Sequence, residues 1–198
     1  MKLYEKGFFK RNKKFFIIAL MLFIVPAIIS AIVSFSTIGD DYGLISQSIN
    51  NLSKTNQTLY GADGLDAVSL FLQNIGSDLI VVVGGLLFSV ISILVVMMGA
   101  IMVASPFGAD LTFSLVSILP HGIIEYSASV IALVAAFNIT KLEIEIIRNR
   151  SYKDVLLDNK IVLKDILILI IIMVLLLIVA AFIECNLTAA LTLWYYGF

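Results

Sequence analysis

Apolar runs separated by short polar stretches divide the chain into membrane-length pieces. Phe15 to Phe35 is 21 residues without a charged side chain, about 31 Å as a helix and long enough to cross a hydrocarbon core of roughly 30 Å. Asp78 to Ser105 is a second run, uncharged after its first residue. Ser105-Pro-Phe-Gly108 ends it, and only 11 residues, Ala109 to Leu119, precede Pro120. Those make about 17 Å of helix, too little for a crossing. Pro120 fixes φ and lacks a donor that a first helical turn cannot use, so a helix is expected to open at Pro120-His121. It continues through Ile123 to Thr140, where Glu125 is the one charge, and Ile166 to Ile183 is wholly apolar. The pattern predicts an all-α fold: a polytopic transmembrane helical bundle with segments at about 15–35, 78–105, 109–119, 121–140 and 163–186. Pro26 is expected to kink the first segment.

The polar stretches assign the sides. Residues 1–14 carry Lys2, Lys6, Lys10, Arg11, Lys13 and Lys14, and residues 141–164 carry Lys141, Arg148, Arg150, Lys153, Lys160 and Lys164 among four acidic residues. Both clusters flank apolar runs and belong on the cytoplasmic side by the positive-inside rule. Residues 36–77 hold Asp40, Asp41, Asp63 and Asp66 against Lys54 and read as an external loop. Asn51-Leu-Ser53 and Asn56-Gln-Thr58 there fit glycosylation acceptors. Leu65, Val68, Leu72, Ile75 and Leu79 repeat at helical spacing, so the end of this loop is expected to lie as an amphipathic helix on the membrane surface.

Four plain spans with a cytoplasmic N-terminus would leave the basic loop 141–162 outside. Charge parity therefore demands one more reversal. It is assigned to the short third segment, 109–119, entering as a re-entrant limb and turning at Pro120 and Gly122. The C-terminus is then external, with Trp194, Tyr195 and Tyr196 as interfacial aromatics. Residues 15–198 form one membrane domain behind a basic N-terminal tail.

Composition agrees: 61% of the residues are hydrophobic and 14% charged, far from the soluble average. Membrane lipid is thus the surrounding partner. With a net charge of −1 and basic residues confined to topology clusters, nucleic-acid binding is excluded. Cys185 is the only cysteine, so no intrachain disulfide forms.

Candidate chemistry centres on His121, the sole histidine. His121, Glu125, Ala128, Ala132 and Ala136 share one helical face, ionisable groups followed by a small-residue stripe suited to close helix packing. Gly84 and Gly85 offer a second small patch. Counting 20 residues from Lys141 and from Lys164 reaches His121 and Glu184, both about 30 Å from the cytoplasmic boundary. Asn74 and Asp78 come to a similar depth. A polar cluster of Asn74, Asp78, His121, Glu125 and Glu184, with Asn186 at its edge, is expected near the outer face.

His121, Glu125 and Glu184 could ligate a metal. No second histidine or cysteine pair supports this, and the His-Glu-x-x-His layout is missing. A hydrogen-bonded interhelical cluster needing no cofactor is the preferred reading. Transport could use the same residues, but the chain has no internal repeat, and no ionisable residue continues a path through Val81 to Val103 or Ile166 to Ile183. Nothing assembles a nucleophile and base, so catalysis is not expected.

Leu-Pro-His-Gly-Ile-Ile-Glu at 119–125 and Phe-Ile-Glu-Cys-Asn-Leu-Thr at 182–188 resemble the stage II sporulation protein M family. Gln73-Asn74-Ile75 and Gly84-Gly85-Leu86-Leu87-Phe88 extend the resemblance, while Met98-Gly99 and Ala189 depart from the family's frequent Asn-Gly and Pro. The resemblance implies a multi-span membrane protein that, in spore formers, belongs to an engulfment complex recruiting peptidoglycan-degrading partners. A scaffold with protein partners in the membrane or envelope is the expectation it supports; separately, the stripe Ala128, Ala132, Ala136 leaves a homo-oligomer as a further option beside intrachain packing.

Overall fold

The structure is a computed structural model, which describes residues 7–38, 67–108, 111–149 and 152–195. Most of the loop between the first two spans lies outside these residues, including both glycosylation patterns and Asp40, Asp41, Lys54, Asp63, Leu65 and Asp66. Lys2, Lys6, Arg150 and Tyr196 lie outside them too.

The described residues are helical. Helix α1 is Phe8–Ile38 and continues through Pro26. Helix α2 is Ala67–Val83, extended by a 3-10 turn at Gly84–Leu87. Helix α3 is Val90–Ala104, extended likewise at Ser105–Gly108. The short α4, Leu111–Ser117, leads into α5, Leu119–Asn149. The short α6, Tyr152–Asp158, leads into α7, Lys160–Ile183. A π turn at Glu184–Thr188 and α8, Ala189–Tyr195, close the chain.

Four helical stretches, Phe8–Thr37, Ala67–Leu87, Val90–Gly108 and Lys160–Thr188, are long and apolar enough to cross a membrane. Helix α5, not one of these four, lies at the centre of the packing. Ala128, Val130, Ala132, Leu133, Val134, Ala135 and Ala136 are buried on it, against Leu169, Met173 and Leu177 of α7 and Val81 of α2. Small residues let neighbouring backbones close in, and in lipid that packing, rather than escape from water, holds helices together.

The run 78–105 is not one span, which corrects the sequence reading. Phe88 and Ser89 both take left-handed φ values, 52° and 57°, costly for residues with a Cβ and sufficient to break the helix. The chain then doubles back: Ser92 Oγ donates to the Val81 carbonyl at 2.6 Å, a pair that a continuous helix would hold about 16 Å apart. The physical reason is length. Residues 67–108 as one helix would run about 63 Å, twice the hydrocarbon thickness. For the same reason the periodic stretch after Leu65 is not a surface helix; it opens the first limb of this hairpin and packs on α5 and α7.

The reversal demanded by charge parity is therefore at Phe88-Ser89, and the third segment is not the re-entrant limb assigned to 109–119. Helix α4 is 7 residues long and packs beside α8, Phe113 meeting Tyr195 with ring centroids 5.8 Å apart. Pro120 and Gly122 do not form a hairpin turn. Backbone bonds from Ile118 to Ser114 and from Gly122 to Ile118, 2.9 and 2.8 Å, carry the helical pattern across that junction.

Side-chain contacts fix the order of the helices. Ser30 and Ser34 of α1 donate to the carbonyls of Ile101 and Ser105, at 2.9 and 2.5 Å, so α1 and α3 run parallel in four-residue register. Helices α5 and α7 run antiparallel, His121 meeting Thr188 at one end. At the other end Arg11 of α1 grips Asp165 of α7.

Candidate functional site: a polar cluster beneath one end of the bundle

His121, Glu125 and Ser129 repeat every four residues on α5 and form a polar stripe about 12 Å deep. The π turn brings Glu184 and Thr188 to its upper end; such widened turns recur at functional positions. His121 Nδ1 lies 3.1 Å from Thr188 Oγ1. On the other side of the ring, Nε2 lies 4.0 Å from Glu184 Oε1, with the two side chains 12% and 27% exposed. One ligand atom each from His121, Glu125 and Glu184 falls within 4.8 Å of the other two. One helical turn below Glu125, Ser129 Oγ donates to Asp78 Oδ1 at 2.7 Å.

Asp78 is 3% exposed. Its Oδ2 has no hydrogen-bond partner, a costly state for a buried carboxyl oxygen. Asp78, His121, Glu125 and Ser129 all lie on the wall of a partly open cavity of about 490 Å³ between α1, α2, α3 and α5. The rest of the wall is mainly apolar, with Phe23 stacked on Tyr126 at 5.2 Å.

The expected cluster is gathered in part. His121, Glu125 and Glu184 come together, and Asp78 shares a cavity wall with His121 and Glu125. Asn74, one turn from Asp78, is not on the cavity wall, and Asn186 is exposed with its Nδ2 donating to Phe182 O at 2.8 Å. The packing residues Ala128, Ala132 and Ala136 are fully buried, and Gly84 and Gly85 are buried too. A Cβ on Gly85 would sit 2.7 Å from Ala136 O, and one on Gly84 would sit 2.6 Å from Ser92 Oγ.

Sequence reasoning missed Ser129, Thr188 and Tyr126 at this site, and a second network at the basic end. There Arg11 holds Asp165 through Nε and an Nη at 2.8 and 2.7 Å. Asn12 Nδ2 donates to the same carboxylate at 3.1 Å, and Asn138 Nδ2 donates to Asn12 Oδ1 at 2.8 Å. Asn138 inside an apolar run was the available signal. A third tie fastens the hairpin: Thr140 Oγ1 lies 2.8 Å from Gly85 O and 2.6 Å from Ser89 Oγ, while Phe88 N–H donates to Glu143 Oε2 at 3.3 Å.

Helices of this length and apolarity, tied by buried polar groups, define a multi-pass membrane protein of the all-α class. Within that class the chain belongs to the stage II sporulation protein M family, whose sequence model matches residues 15–189. That range contains every residue of the cluster. No curated protein and no solved structure matches the chain.

Proposed function

We propose that the protein is an integral membrane scaffold that acts by assembly, holding protein partners of the membrane or cell envelope. Its N-terminus is cytoplasmic and its C-terminus external, because the described basic residues of 7–14 and 141–164 lie where α1 and α7 begin and α5 ends, at one end of the bundle. The observation that carries the reading is the use made of buried polar side chains. They tie helices at both ends: Arg11, Asn12, Asn138 and Asp165, with Ser89 and Thr140 of the hairpin beside them, at the basic end, and His121 and Thr188 at the far end. Such ties stiffen a bundle into one arrangement.

A second reading, solute or ion transport, is favoured by the cavity bearing Asp78, His121 and Glu125. Against it, the polar stripe on α5 ends at Ser129; Val130 and Ala132 to Ala136 are buried apolar residues before Asn138 is reached. Quantitative affinity purification from native membranes in mild detergent tests the scaffold reading. The expected result is a membrane or envelope protein recovered at a fixed ratio to the chain, and equally with Glu125→Gln. Recovery of the chain alone, or only with copies of itself, contradicts it.

A further inference from the structure

We propose that His121, Glu125 and Glu184 form a binding site for one divalent first-row metal ion of the zinc type, with Asp78 as an outer carboxylate facing the same cavity. The ligand set joins two elements, an i, i+4 pair on α5 and the first residue of the π turn. Its atoms are mutually close enough, within 4.8 Å, for modest rotamer adjustment to bring them around one ion. The separation of His121 Nε2 from Glu184 Oε1, 4.0 Å, is too long for a hydrogen bond. It exceeds the roughly 3.4 Å between two ligand atoms of a tetrahedral ion with bonds of about 2.0–2.2 Å, a gap that the same rotamer adjustment closes.

The imidazole is already oriented for this role. In the tautomer that donates from Nδ1 to Thr188 Oγ1, the Nε2 lone pair faces the two glutamates. Ligating histidines are held in this manner by a bond from the second ring nitrogen. Charge points the same way. Glu184 lies beside His121 and Glu125, Asp78 and Glu125 line one cavity, and among the described residues no Lys or Arg lines that cavity. Burying carboxylates without a cation is costly.

Asp78 supplies the independent observation. It is 97% buried, as its 3% exposure gives, and Oδ1 is taken by Ser129. Oδ2 is unpartnered on the cavity wall it shares with His121 and Glu125. With a small rotation of the carboxyl this oxygen faces the cavity and can accept a hydrogen bond from a metal-bound water that completes the coordination shell, and the cavity is the route by which ion and water arrive. Bound metal would clamp α5 to the end of α7 and strengthen the tie that Thr188 begins.

The test uses the full-length protein, purified in detergent with a histidine-free tag and stripped with chelator. Zn²⁺ titration of the wild type should saturate at about one ion per chain. Thr188→Val, which removes the orienting bond and no ligand, should weaken binding by about tenfold or more. Co²⁺ substitution in the wild type reads the site without any variant, through visible d–d absorption that Zn²⁺ displaces. Glu125→Gln and His121→Ala should lose both signals while eluting as the wild type does in size exclusion. A wild type without saturable Zn²⁺ binding and without a Co²⁺ band, or equal metal content in wild type and His121→Ala, overturns the proposal.

Discussion

Gly76 and Gly85 stand nine positions apart, and their surroundings set opposite outcomes for the same substitution. A methyl on Gly76 would meet nothing within 4 Å, whereas one on Gly85 would press into the α5 backbone at Ala136. Gly76→Ala should stabilise the protein by about 0.5–1 kcal/mol through helix propensity. Gly85→Ala should destabilise it by about 1–3 kcal/mol, both read by thermal unfolding in detergent. The His121–Thr188 contact is isolated by a double-mutant cycle with alanine, expected to give a coupling of about 0.6–1 kcal/mol, since interhelical bonds in membranes are worth little more. At this scale the sequence was legible for ionisable residues, because His121 and Glu125 stand out in an apolar run. It was not legible for hydroxyls and amides. Ser127 and Asn186 bond to carbonyls four residues back in their own helices, while Ser129 and Thr188 reach across to α2 and α5. Nothing local distinguishes the two behaviours.

Among the elements, the hairpin of α2 and α3 shows what a hydropathy pattern leaves open. Charge parity required one more reversal, and that inference is independent of where the turn falls. The apolar run conceals the turn at Phe88-Ser89 because a reversal at the membrane boundary can be built from Gly, Phe and Ser, with its polar partners Thr140 and Glu143 supplied from another helix. The length of 67–108 was the better clue. In a Cys185→Ser background, Phe88→Cys should react with a membrane-impermeant thiol reagent from the same side as Leu157→Cys, and Leu111→Cys from the opposite side. A protected Phe88→Cys would restore the single long span. The tie between α1 and α7 makes a separate prediction. Asp165→Ala removes the acceptor of two Arg11 guanidinium bonds and one Asn12 amide bond, and because the Arg11 side chain is 32% exposed the loss should be on the order of 2 kcal/mol rather than that of a fully buried pair. A cost below the error of thermal unfolding would show that the tie is idle.

For the molecule as a whole, the fold class and family were readable from apolar runs and from the words around His121 and Glu184. The function turns on whether the polar groups under the far end join a path through the bundle. The bundle is polar at both ends, the hairpin lying at the basic one, and its centre holds Leu133, Leu169, Met173 and Leu177, all buried. Among the described residues these buried apolar side chains separate Ser129 from Asn138. The most direct test is proton and cation flux in liposomes bearing the purified protein, wild type beside Glu125→Gln. Flux indistinguishable from protein-free liposomes in both is the predicted result, and wild-type flux abolished by Glu125→Gln would contradict the account.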